Sequence, residues 1–295
     1  MVRNRCCWAL AALVLAATGC KKHDKPQARP GASASASASA RKAEHSLGKA
    51  QRLFCRALSV KGSVSVSGAG HLKSRSPIDG SRWLDLGKDA VVDVRHSLSA
   101  REFQLRGPGR AIVCPGGAEQ ILLANGEVVT TNGPGARPGA EALIATPLGT
   151  VTYGDARLVA TLSDKQLVVT ARSGDAWVQP APGATRNGPE KVDARHKATV
   201  KLSGALDTEK LVSLCRKAAE ETARRAKAVI HKPTGKDAGT LGERAAAHVR
   251  ARKAARAACA TAEAALGRTS DPAERKRLWG QLEQSEKRWQ AVPHR

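Results

Sequence analysis

Aromatic side chains are scarce in this chain: one Tyr, two Phe and five Trp among 295 residues, with a single Met. A core has to be assembled mainly from small aliphatic side chains, and alanine and valine dominate the apolar content. Long apolar runs are also missing. The one sustained run, Trp8 to Ala17, is too short to cross the ~30 Å hydrocarbon core of a bilayer as a helix, and no other stretch approaches eighteen apolar residues. Acidic residues are in the minority, with 26 Asp and Glu against 49 Lys and Arg.

Signatures of catalysis are absent as well. The eight histidines (His23, His45, His71, His96, His196, His231, His248 and His294) are scattered, and none falls in His-Glu-x-x-His or another zinc spacing. There is no Gly-x-Ser-x-Gly elbow and no Gly-x4-Gly-Lys-Ser/Thr loop. Gly107-Pro-Gly-Arg110 and Gly133-Pro-Gly-Ala-Arg-Pro-Gly139 look superficially like phosphate cradles, but a cradle needs donating backbone N–H groups, which proline lacks; they read as turns. Asp85, Asp89 and Asp93 have strand spacing and would align on one solvent face, without the glutamate or oxygen-rich loop that calcium or acid–base work requires. No residue is singled out as catalytic, and neither a metal nor a cofactor is expected.

What is present, first, is positive charge. The formal net charge is +23, divided as +2 over residues 1–19, +7 over 20–56, +5 over 57–206 and +9 over 207–295. This balance suits anionic neighbours such as phospholipid headgroups, lipopolysaccharide phosphates or cell-wall carboxylates. With no nucleic-acid-reading motif, nucleic acid is not an expected partner.

Arg3 and Arg5 precede the apolar run, and the run ends Ala17-Thr18-Gly19-Cys20. A basic start, a short apolar middle and small residues before a cleavage point describe a secretory signal. The last four residues resemble the bacterial lipobox, which implies cleavage before Cys20 and lipid attached to that cysteine. Several acyl chains would hold the chain firmly, since each buried methylene contributes ~0.8 kcal/mol and one chain alone binds only marginally. Residues 20–44 follow as a tether of alternating Ala and Ser with no apolar face to bury.

Seven cysteines include Cys6 and Cys7 in the signal and Cys20 at its end, leaving Cys55, Cys114, Cys215 and Cys259. An even number in an exported chain reads as two disulfides with three possible connectivities. Positional symmetry favours Cys215 with Cys259. In a helical hairpin, residues equally far from the turn face each other, and the turn-forming stretch Lys232 to Gly239 surrounds their midpoint. By elimination Cys55 pairs with Cys114.

A short helix over residues 45–56 would carry Leu47, Leu53 and Phe54 onto the fold. From Ala57 to Leu202 the apolar period is two, in runs of four to seven residues bounded by Gly, Pro, Asn or Asp, such as Ala142-Leu-Ile-Ala-Thr146 and Gln166-Leu-Val-Val-Thr170. After Ser203 the period becomes helical. Asp207 caps a helix to Ile230 with Leu211, Cys215, Ala218, Thr222 and Ala226 on one stripe. Thr240 and Glu243 have capping-box spacing for a second helix to Leu266, and Pro272 opens a third whose stripe is Leu278, Leu282, Ser285, Trp289 and Val292. Trp279 lies off that stripe. The fold class is therefore mainly β, an all-β sandwich or roll over 45–206, followed over 207–295 by an α-helical hairpin with a third C-terminal helix.

Six stretches carry a family likeness: Gly62-Ser-Val-Ser-Val66; Trp83-Leu-Asp-Leu-Gly-Lys-Asp-Ala-Val-Val-Asp-Val94; Phe103-Gln-Leu-Arg-Gly-Pro-Gly109; Asn125-Gly-Glu-Val-Val129, a turn and strand; Ile144-Ala-Thr-Pro-Leu-Gly-Thr-Val-Thr-Tyr-Gly-Asp155; and Ser173-Gly-Asp-Ala-Trp-Val178. Together they resemble the FecR-like domain of envelope proteins. That resemblance implies a periplasmic interaction or sensing module; nothing here matches the family's transmembrane or cytoplasmic parts. The expectation is a non-enzymatic binding module on an envelope lipoprotein, facing the periplasm, at the outer membrane in preference to the inner. Its expected partners are the membrane, through lipid on Cys20, and an envelope protein or anionic cell-wall polymer. Two alternatives stand beside it: a periplasmic enzyme acting on cell-wall glycan or peptide, and a structural spacer. A carboxylate pair or metal cluster in a concave pocket would favour the enzyme; a shallow basic or apolar groove would favour binding.

Overall fold

Alternation of buried and exposed residues sets the strands of the first half. The computed structural model describes residues 55–133, 141–185, 188–230 and 240–290. The signal, Cys20 and the tether lie outside the described residues, as do the proline-glycine stretch after Gly133, the turn around Gly235, Val292 and the Trp289 side chain. In chain order the strands are β1 (Cys55–Lys61), β2 (Val64–Val66), β3 (Gly70–His71), β4 (Pro77–Ile78), β5 (Leu84–Leu86), β6 (Val91–His96), β7 (Arg101–Val113) and β8 (Gln120–Asn132). They continue as β9 (Ala142–Thr146), β10 (Gly149–Tyr153), β11 (Arg157–Leu162), β12 (Gln166–Ser173), β13 (Ala176–Pro180), β14 (Glu190–Val192) and β15 (Lys197–Lys201).

All fifteen strands join one mixed sheet, with the path β14-β13-β10-β9-β8-β7-β5-β2-β3 and the remaining strands branching from it. The β8–β9 pair is parallel. Inward residues alternate, as in Leu158, Ala160 and Leu162 of β11 facing Leu167, Val169 and Ala171 of β12. One apolar interior takes residues from β1 through β15, including Phe103, Leu105, Ile121, Ile144 and Val200. The sheet curls around it, which is how small aliphatics bury enough area without many aromatics.

Three local expectations are corrected. The helix over 45–56 does not extend to its end: Cys55 and Arg56 already open β1, where Cys55 and Ala57 are buried and Arg56 and Leu58 exposed, a period of two. Residues 45–54 lie outside the described residues. Second, Gly107-Pro-Gly-Arg110 and Asn125-Gly126 are not turns between strands. They sit inside β7 and β8, thirteen residues each, where the pairing register shifts between Arg106 and Arg110. A Cβ on Gly126 would come within 2.9 Å of the Gly109 Cα, and a Cβ on Gly107 would run into the Gly87 carbonyl. The glycines permit close backbone approach at a bulged crossing, the other common use of glycine in strands. Third, Asp85, Asp89 and Asp93 do not share a strand face. Asp85 lies in β5 and pairs with Arg110 at 3.3 Å; Asp93 lies in β6, bonded to Ser59 and Gln104; Asp89 sits in the intervening turn.

The second half forms α1 (Thr208–Ile230), α2 (Leu241–Leu266) and α3 (Pro272–Gln290). Asp207 Oδ1 accepts the Lys210 N–H at the start of α1, and Thr240 with Glu243 forms a complete capping box on α2. Leu211, Val212, Cys215, Cys259, Ala262, Leu278 and Leu282 close a small helical core. Cys215 and Cys259 are disulfide-bonded with their Cα atoms 4.5 Å apart, and Cys55 is bonded to Cys114. Ala260 and Ala264 of α2 then pack on the outer sheet face at Ile112, Leu122, Leu143 and Ala145. At the end of α2 a Cβ on Gly267 would lie 2.5 Å from the Trp83 ring, so the chain turns there on a residue without one. Next to it the Arg268 guanidinium donates to the carbonyls of Ala124, Ser163 and Asp164, latching helix to sheet. No described helix is long and apolar enough to cross a membrane.

Candidate functional site: a cleft between the helices and the sheet

Where the alanine face of α2 ends, helices and sheet diverge and leave a cleft of about 800 Å³. Its floor is the sheet-side segment Pro115–Gly117, a single 3-10 turn, continuing to Ala118 and Gln120. That segment is firmly held. Cys114 ties it to β1, and Gly80 fits beneath it because a Cβ there would strike the Cys114 carbonyl. His96 Nε2 donates to the Gly117 carbonyl at 3.2 Å. Arg101, almost wholly buried, donates from Nε to Glu119 Oε2 at 3.1 Å, donates to the Gly154 carbonyl, and lies over the Tyr153 ring at 5.2 Å. Burial pushes the Tyr153 hydroxyl well above the usual tyrosine range.

Ser99, His96 and Glu119 invite comparison with a nucleophile–base–acid relay. The geometry rejects it. Ser99 Oγ lies 2.9 Å from His96 Nδ1, and Glu119 Oε1 lies 3.8 Å from the same nitrogen, whereas a relay needs them on opposite ring nitrogens. Both Ser99 and His96 are buried. The network braces the floor of the cleft.

The walls come from α2 and α3. Helical spacing along α2 brings Val249, Arg252, Lys253, Arg256, Ala260 and Glu263 to the cleft, and α3 adds Trp279 and Glu286. Arg256 Nε donates to Gln120 Oε1 at 3.2 Å, and Lys253 Nζ meets Glu141 Oε2 at 2.6 Å. At the opposite end the Glu263 carboxyl is pushed up to about 8, first by burial and then by the charge of Glu286. Burial, then the charge of Glu283, raises Glu286 as well. Near neutrality this end of the cleft therefore keeps a proton. Trp279 lines the cleft and stays 37% exposed. The chemistry on offer is anion binding at the arginine end and hydrogen bonding to neutral polar groups at the carboxyl end.

A second groove of about 460 Å³ runs beside α1 and α2 over β10, lined by Leu211, Leu214, Ala218, Ala254, Ala257 and Thr150. Among the described residues no group of His, Cys, Asp or Glu is arranged to hold a metal ion. Of the residues marked out by the sequence, Cys55, Cys114, Cys215 and Cys259 sit in the two disulfides and Trp279 lines the cleft, while Cys20 lies outside the described residues. Glu263, Glu286, Arg256 and the His96–Arg101–Glu119 network were not legible beforehand. Four charged positions at helical spacing, 252, 253, 256 and 263, were the available signal. No protein-family model matches this chain, and no curated protein is similar to it in sequence.

Proposed function

We propose that the chain is an envelope lipoprotein, anchored through lipid on Cys20, whose FecR-like β region and helical layer form a non-enzymatic binding module with this cleft as its binding surface. The observation that carries the reading is the convergence of Arg252, Lys253 and Arg256 on one walled cleft whose floor is cross-linked and hydrogen-bonded into place. A rigid, cationic cleft suits an anionic envelope partner, a cell-wall polymer or an acidic protein surface. The β region supplies the floor and the helices supply the charge.

Sedimentation of the full chain with purified cell walls tests the binding. Arg252→Ser with Arg256→Ser should reduce the bound fraction by at least about tenfold. Equal sedimentation of variant and wild type would remove the cleft from consideration. Radiolabelled palmitate tests the anchor: wild type should incorporate it and Cys20→Ser should not.

One observation favours a second reading, a periplasmic enzyme acting on glycan. Glu263, holding its proton near neutrality, shares the cleft with Glu286, the kind of pairing that glycoside hydrolysis employs. Release of reducing ends from cell walls by wild type but not by Glu263→Gln would establish that reading over the first.

A further inference from the structure

We infer that the cleft has two subsites and that its ligand is an acidic oligosaccharide, with an anionic group held at Arg252, Lys253 and Arg256 and a hydroxyl-bearing sugar ring held against Trp279 by the Glu263–Glu286 pair. This rests on the reading of the cleft as the binding surface and names what it binds.

The division follows from the lining. Arg252 and Glu263 are eleven positions apart on α2, about 16 Å along the helix axis. A single small anion cannot reach both ends. The sheet side contributes Gly80, Ser81, Pro115, Gly116, Ala118 and Gln120, none of them charged, so the character of each end is set by the helices. Cations dominate one end, with Glu141 on Lys253 and Glu119 near Arg256 offsetting part of their charge. The other end has two carboxyl groups, and among the described residues neither has a hydrogen bond or ion pair.

Each candidate class of ligand meets this arrangement differently. A polyanion without rings satisfies the cations but offers no hydroxyls to the carboxyl pair and no ring face to Trp279. A neutral glycan satisfies the carboxyl end but forms no ion pair with the cations. A sugar hydroxyl both donates and accepts, and a carboxylic acid beside a second carboxyl does the same, so the two are matched. Trp279 supplies a flat apolar surface with a polar edge, which suits a ring that has apolar faces and a polar rim. Acid groups and hydroxyl-bearing rings repeating along one chain meet every requirement together.

Calorimetric titration of the full chain at neutral pH with three tetrameric probes decides the matter. The probes are tetragalacturonate, which is acidic and ringed; chitotetraose, which is ringed and neutral; and tetraglutamate, which is acidic and lacks rings. Tetragalacturonate should bind at least about tenfold tighter than either of the others. Trp279→Ala and Glu263→Ala should each weaken tetragalacturonate by about tenfold while leaving tetraglutamate unchanged. Trp279→Phe, which keeps an aromatic face, should recover most of the loss and so separates ring contact from misfolding. Tetraglutamate binding as tightly as tetragalacturonate would overturn the inference and leave a charge-only cleft, with the binding reading intact. Chitotetraose binding as tightly would overturn it by removing the cationic subsite. Failure of all three, together with undiminished cell-wall sedimentation of Arg252→Ser/Arg256→Ser, would overturn the cleft itself.

Discussion

The β region and the helical layer start from the same restricted set of side chains and reach stability by different routes. The curled sheet draws Val, Leu and Ile from nearly every strand into a single interior, so burial per residue is high and well distributed. The helices cannot do this. Their core is small and includes Ala262, Ala265, Cys215 and Cys259, and it compensates by closeness. Small residues let α1 and α2 approach until two Cα atoms are 4.5 Å apart, and a covalent bond then fixes the pair. The layer also leans on the sheet through Ala260, Ala264 and Arg268. A poor supply of large apolar groups thus leads to pooling in a sheet and to cross-linking in helices, and the cleft opens where the close-packed alanine face gives way to charge.

Removing the cross-link is the most direct way to break this contrast. Cys215→Ala with Cys259→Ala opens a loop of 44 residues and should cost about 4 kcal/mol in the chain-entropy model. Urea unfolding followed by far-ultraviolet circular dichroism should then show helical signal lost ahead of strand signal; a loss below about 1 kcal/mol would mean that packing alone sustains the helices. The seam between the regions comes next. Gly267→Ala sits in helical backbone, so its effect is steric: the new Cβ meets Trp83 and Ala124, and overpacking should cost about 1–3 kcal/mol with altered tryptophan fluorescence. A stabilised variant would show slack at the seam.

Smaller effects concern the charges. Glu263 has its folded value raised to about 8, so the folded state binds more protons than the unfolded chain between the ordinary carboxylate range and that value. Stability contributed by the protonated form is complete at acid pH and is lost as pH rises from about 4.5 to about 8. Glu263→Gln should remove that loss, leaving the variant roughly 1–2 kcal/mol more stable than wild type at pH 9 and nearly equal to it at pH 4, as read from melting curves. The smallest change is expected at Arg277, whose ion pair with Glu209 at 3.1 Å is exposed on both sides. Arg277→Ala should shift stability by less than about 0.5 kcal/mol, and less still in high salt.

Much of this was legible in the sequence, for identifiable reasons. Helix limits were readable because local chemistry marks them: Asp207, the Thr240–Glu243 box and Pro272 each act within one turn. The Cys215–Cys259 pairing followed because hairpin geometry depends only on distance from the turn. The crossing at Gly107–Gly109 and Gly126 was misread because proline and glycine mark both turns and tight backbone approach, and the partner strand decides which. The cleft was hidden for a related reason. Gly116, Arg256, Glu263 and Trp279 come from three separate segments, and the burial that raises Glu263 exists only after α2, α3 and the sheet have packed.

The Cys55–Cys114 bond has a mechanical consequence. Tension applied through the chain N-terminal to Cys55 does not peel β1 from its neighbours; it passes across the sulfur bridge directly to the end of β7. The 59-residue span between the two cysteines is shielded from the load, so about 200 Å of contour length is not released when the fold is pulled apart. The load path enters instead at Cys114, beside the segment that floors the cleft, so a pull on the N-terminal chain is delivered to a braced corner of the fold.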